Sequence, residues 1–224
     1  MRTCSRARDR SCAGQHRPRP ARPGAQFLSY AAELNGCGDE DTLAFGRDER
    51  RFSNLLLVEQ PNGNFADTIA RQFFIDVWHV ALFSRLVNSR DAQLAAIAAK
   101  GLKEVRYHQR FSRGWLERLG NGTELSNRKM QQAVDNLWRF TGELFLADEV
   151  ELSPVEQGIA VDPRELQAEW QSAVHTALLD SGLQIPQEAA FRSGGKQGCT
   201  VNISARCWRR CSICSVRIPD CSGK

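Results

Sequence analysis

The stretch NFADTIARQFFIDVWHVALF, residues 64–83, constrains the fold of this chain more than any other. Asn64 can cap a helix, because its side-chain oxygen takes a backbone N–H that the first turn leaves unpaired. Behind it Ile69, Phe73, Val77, Val80, Ala81 and Phe83 recur at helical spacing, and further apolar residues occupy nearly every remaining face. A helix that is apolar all round has to be enclosed by other elements. The stretch predicts a central helix with neighbours on every side.

Those neighbours are also written as helices. QFLSYAAEL, 26–34, is a helical end stopped by Asn35 and Gly36, a pair that tolerates the left-handed conformation just past a C-terminus. A polar stretch with Gly38, Asp39, Glu40 and Asp41 follows, then a shorter helical run over RDERRFSNLLLV, 47–58, and a turn at Pro61, Asn62 and Gly63. Asp91 can cap a helix carrying Leu94, Ile97, Ala98, Leu102, Val105, Phe111, Trp115 and Leu119, which Gly120, Asn121 and Gly122 end. Ser126 opens SNRKMQQAVDNLWRFTGELF, 126–145, with Met130, Val134, Leu137, Trp138, Leu144 and Phe145 at helical spacing. Asp162 followed by Pro163 pairs an N-cap with proline at the first helical position, and this helix should run to about Gly182. No strand-period alternation of useful length occurs. The expectation is an all-α, antiparallel helical bundle occupying 26–198 as one domain.

The two ends break this grammar. The net charge of +4 over 224 residues is gathered there: arginines crowd 1–25, Arg206, Arg209, Arg210, Arg217 and Lys224 crowd 199–224, and the middle is net acidic. Cysteine follows the same division, with Cys4 and Cys12 in the first segment, Cys199, Cys207, Cys211, Cys214 and Cys221 in the last, and Cys37 alone between them. The body therefore reads as a reduced, cytoplasmic domain, with neither an apolar span for a membrane nor a secretory leader expected. Three readings of the ends compete: basic arms, a zinc module built on Cys211 and Cys214 with Cys207 and Cys221, and translation in the wrong frame. The genetic code favours the last. With one base inserted before the codon for Cys199, synonymous codons permit LHSEHLGPMLAEMQYLQR, an amphipathic helix, and shifting the first segment permits CGHAPELEIDLALANIGLDLLGQARN, which runs into FLSYAAEL. Both ends are expected to be out of frame and disordered, each replacing a helix.

Within the central helix, Asp76 and His79 stand three positions apart on one face. Di-iron sites in helical bundles use carboxylates from two helices and a Glu-x-x-His pair from each of two others. DVWH supplies one such pair with Asp for Glu. In EVRYH, the place three after Glu104 is Tyr107, and His108 comes one place late. The helix over 126–145 contributes Asp135 and Glu143 without a histidine, and Glu169 and His175 are too far apart to share a face in the required way. This is too few donors for two irons, so no metal-binding and no catalytic residue is assigned. Asp76, His79, Glu104, Tyr107 and His108 are expected to form a residual polar core cluster, with Asp76 and His79 satisfying one another or neighbouring side chains.

The strings FLSYAAEL, DEDTLAF, RDER, FSNLLLVEQPNGNFADTIARQ, YHQRFSRGWLERLGNGT and GIAVDPREL together resemble the C subunits of bacterial phenylacetyl-CoA 1,2-epoxidases, or phenylacetate-CoA oxygenases, in the ferritin-like superfamily. The resemblance covers about 26–198, and the frame-shifted strings resemble the family's termini. It implies a ferritin-like subunit with no cofactor of its own. The di-iron site would lie in a homologous catalytic partner that binds the CoA thioester, and a small further subunit and a reductase would complete an O₂-dependent ring epoxidase. A homo-oligomer is compatible with this; nucleic acid and membrane are not expected partners. Arg110, Arg113 and Trp115, residue types enriched at interface hot spots, are the expected partner surface, although Phe111 and Trp115 at i and i+4 also suit ordinary core packing. Two other functions compete: a di-iron oxidase in its own right through Asp76, His79, Glu104 and His108, and a nucleic-acid or zinc-binding protein acting through its ends.

Overall fold

The structure, a computed structural model, describes residues 23–36, 38–46, 54–187 and 191–195. Nearly all of both terminal segments, every cysteine and most of the run 47–58 lie outside them. The described residues form seven α-helices and no strand: α1 (Pro23–Asn35), α2 (Glu40–Phe45), α3 (Phe65–Leu86), α4 (Ala92–Gly120), α5 (Glu124–Trp138), α6 (Glu149–Glu156) and α7 (Gln167–Asp180). Two 3-10 helices, Thr141–Phe145 and Pro163–Leu166, separate the later ones. No helix among the described residues is long and apolar enough to cross a membrane.

The helix starts follow from local chemistry. Asn64 accepts from the backbone N–H of Asp67 at 3.3 Å while the Asp67 carboxylate accepts from that of Asn64 at 2.8 Å, a reciprocal capping box, and Asn64 also accepts from the Ala66 N–H at 2.7 Å. Asp91 accepts from Gln93 and Leu94, each at 2.9 Å, and also from the Tyr30 hydroxyl, which fastens α1 to the start of α4. At the other end of α1, Gly36 takes φ +63°, the left-handed stop expected of it.

Helix α3 is the centre of the bundle, as its composition requires. It packs along α4 and is flanked by α5 and α7. Pairings of Phe65 with Trp115, Asp76 with Ser112 and Phe83 with Gly101 step in opposite directions along the two helices, so α3 and α4 run antiparallel. Phe73, Phe74, Leu116, Met130, Val134, Trp170 and Leu178 fill the core without exposure above 1 %. The Trp170 indole donates to the Phe74 carbonyl at 2.9 Å, satisfying its one polar atom inside the apolar cluster.

Several expectations are corrected. The described part of the run 47–58 is turn rather than helix, with Leu56 and Leu57 tucked into the core. Residues 40–45 are helical, because Asp39 caps them by accepting from the Thr42 backbone N–H at 2.8 Å. The helix expected over 126–145 starts earlier, behind Thr123, and stops at Trp138; residues 141–145 then tighten into a 3-10 turn that turns Glu143 inward. Helix α6 adds to the expected set, its start written by the capping box of Asp148 and Glu151. The described part of α1 takes in Pro23, Gly24 and Ala25, the last residues of the segment 1–25.

Candidate functional site

Asp76 is 1 % exposed on the face that α3 turns to α4. Its carboxylate accepts from the Gln72 side-chain amide at 2.7 Å and from the Ser112 hydroxyl at 2.7 Å. Gln72 is one turn earlier on the same helix, and Ser112 reaches in from α4. Burial pushes the Asp76 carboxyl above the ordinary carboxylate range, while these two hydrogen bonds and the nearby His108 act in the opposite sense.

His79, one turn on, does not pair with Asp76. Its ring lies 5.3 Å from Trp78 and 6.0 Å from Phe83. Burial, helped by the charge of His108, lowers its pKa to about 4, so the imidazole is neutral at physiological pH. Of the two arrangements expected for Asp76, satisfaction by His79 or by neighbouring side chains, the structure has the second: the carboxylate is held by Gln72 and Ser112. Glu104, Tyr107 and His108 do not join a buried cluster either, because all three lie on the exposed side of α4.

The remaining candidate ligands are dispersed. Asp135 is exposed and accepts from Gln131 at 2.9 Å, Glu169 lies 3.6 Å from Arg85, and His175 stacks on Trp138 at 6.0 Å between ring centres. Glu143 is buried, but its carboxylate accepts from the backbone N–H groups of Leu56 (2.7 Å), Gly194 (2.9 Å) and Gly195 (2.7 Å). Among the described residues no three His, Cys, Asp or Glu side chains converge in a group that could hold a metal ion. The donor set among the described residues does not fit a dinuclear centre. Asp76 already has an internal donor at each oxygen, and His108 and Glu104 face outward.

The outward face of α4 is the more distinctive surface. Tyr107 is 61 % and Phe111 52 % exposed, and Trp115 continues the row at the next turn. Phe65 of α3 meets Trp115 edge-on at 5.1 Å, Arg118 lies 5.3 Å over the same ring, and Arg110 is exposed on the same helix. Arg113 is otherwise engaged, bonded to Glu117 at 2.8 Å and to Asp180 of α7 at 2.9 Å. Of the three residues expected at a partner surface, Arg110 is available, Trp115 is half packed into the core, and Arg113 ties α4 to α7. Tyr107, expected in the core, belongs to this outer row. Its i, i+4, i+8 spacing with Phe111 and Trp115 is legible in the sequence; that the row faces outward is not.

Comparison with known proteins places the chain as follows. The family model described as phenylacetic acid catabolic protein matches residues 23–206. The C subunit of the 1,2-phenylacetyl-CoA epoxidase of Escherichia coli (strain K12) is 70% identical over 172 residues, which is 77% of this chain and 69% of that protein.

Proposed function

Because this chain belongs to the phenylacetic acid catabolic protein family, we propose that it is the structural, non-catalytic member of a multicomponent phenylacetyl-CoA epoxidase. The observation that carries the non-catalytic part is the isolation of Asp76 from any second ligand pair. Its two oxygens are held by Gln72 and Ser112, and among the described residues no second His-bearing carboxylate pair faces it from the neighbouring helices. A catalytic partner of related fold would supply the di-iron chemistry. This chain's own residues supply a rigid bundle and a docking face.

The aromatic row of α4 suits that task. Tyr107, Phe111 and Trp115 offer flat apolar area that loses little conformational entropy on docking, and Arg110 and Arg118 border it with fixed positive charge. The reading is tested by purifying this chain with and without the catalytic partner. Iron should accompany the partner alone, and epoxidation of phenylacetyl-CoA should require both chains. Stoichiometric iron in this chain by itself, lost in His79→Ala, would instead make it an oxidase.

A further inference from the structure

A cleft of about 290 Å³ opens between the 3-10 turn 141–145, the first turns of α7 and the segment 191–195. Four aromatic side chains, Trp138, Phe145, Trp170 and Phe191, form its walls, Arg139 is its one charged lining residue, and Thr141, Gln167 and Gln171 are its other polar ones. The Arg139 Nε is buried, and no acceptor or carboxylate among the described residues meets it. That nitrogen is enclosed, so a ligand oxygen in the cleft would meet the guanidinium at its terminal nitrogens; no ion pair among the described residues already neutralises Arg139.

The cleft is built rather than incidental. Its outer wall, Phe191, is carried by a segment whose Gly194 and Gly195 N–H groups are bound by the buried Glu143 carboxylate, and whose Arg192 N–H donates to the Arg139 carbonyl at 3.0 Å. Gly142 has no side chain where the Phe191 ring lies, and a Cβ added there would collide with it. One buried acid thus pins a wall of the cleft that Arg139 also lines.

We propose that this cleft binds a small aromatic carboxylate, its carboxylate on Arg139 and its ring between the surrounding aromatic side chains. A single guanidinium matches a monoanion, and its planar fork fits a carboxylate in two-point contact. The ring-lined walls would leave a bare inorganic anion with nothing to cover them, and they disfavour a phosphate dianion, which would need a second cation. The volume admits one ring with a short acid arm. A CoA thioester is too large and has no free carboxylate, so the site is distinct from a substrate site for the thioester. The inference rests on the cleft and not on the scaffold role.

Phenylacetate, phenylacetamide and acetate are the probes, titrated into the full chain by calorimetry and by tryptophan fluorescence. Phenylacetate should bind saturably and quench Trp138 and Trp170, while phenylacetamide, which lacks the charge, and acetate, which lacks the ring, should fail at equal concentration. Arg139→Gln should weaken phenylacetate by about tenfold or more, the loss of one charge-assisted contact. The half-exposed Phe191→Ala, a milder change, should weaken it less while leaving the helical circular dichroism unchanged. Absence of saturable binding at millimolar phenylacetate, or equal binding by acetate, overturns the proposal. So does unchanged affinity in a folded Arg139→Gln. If that variant instead loses only its catalytic partner on co-purification, Arg139 is a protein contact and the ligand site is disproved.

Discussion

Asp76 shows how a single buried carboxylate is kept in an apolar helix. Its two hydrogen bonds offset a desolvation cost that still leaves its carboxyl easier to protonate than usual. Removing one donor should therefore be felt. Ser112→Ala strands one Asp76 oxygen and is expected to cost roughly 1–3 kcal/mol in urea unfolding, whereas Asp76→Asn, which stays polar and loses the buried charge, should cost less. His79 sets a pH dependence of definite sign. Its folded pKa of about 4 lies below the ordinary 6.5, so between those values the unfolded chain binds more protons and stability falls as pH is lowered. The loss attributable to this residue is at most roughly 3 kcal/mol. In His79→Gln the slope of unfolding free energy against pH over that window should flatten; an unchanged slope would show that the imidazole is not held neutral by burial. Asp76 works the other way, since a raised carboxyl favours the folded state as pH falls, so the wild-type slope is the difference of the two.

At the scale of elements, the 3-10 turn 141–145 and the outer row of α4 carry most of what distinguishes this bundle. Glu143 joins three segments remote in sequence, the turn itself, the loop at Leu56 and the segment at Gly194. Glu143→Ala is predicted to strand two buried N–H groups, of Leu56 and Gly195, at about 1–3 kcal/mol each before water relieves them, and the half-buried one of Gly194 at less. Limited proteolysis should then cut near Arg192 at a protease concentration that leaves the wild type whole. The α4 row should behave differently, since Phe111 is half exposed and contributes little to the core. Phe111→Glu should leave the melting temperature within a few degrees of wild type yet reduce co-purification with the proposed catalytic partner, by about 30-fold in affinity if the residue is a hot spot of about 2 kcal/mol. Arg113→Ala, which breaks two half-exposed ion pairs between α4, its own next turn and α7, should lower stability by no more than about 1 kcal/mol. Unaltered co-purification in Phe111→Glu would move the docking face elsewhere.

The whole molecule is a set of helices whose identity is local and whose mutual placement is not. Caps at Asn64, Asp91 and Asp162, the stop at Gly36 and the enclosure demanded by α3 depend on spacings of a few residues. The amino-acid order alone therefore established an all-helical bundle with α3 at its centre. Glu143 turning inward to end a helix at Trp138, and Ser112 rather than His79 meeting Asp76, depend on how neighbouring helices are rotated about their axes. So does the outward turn of Tyr107 and Phe111. That rotation is set by packing across the chain, where Trp170 against Phe74 and Phe65 against Trp115 choose among faces that look alike along a single helix. Periodicity tells which residues share a face; only the assembled core decides which face meets which.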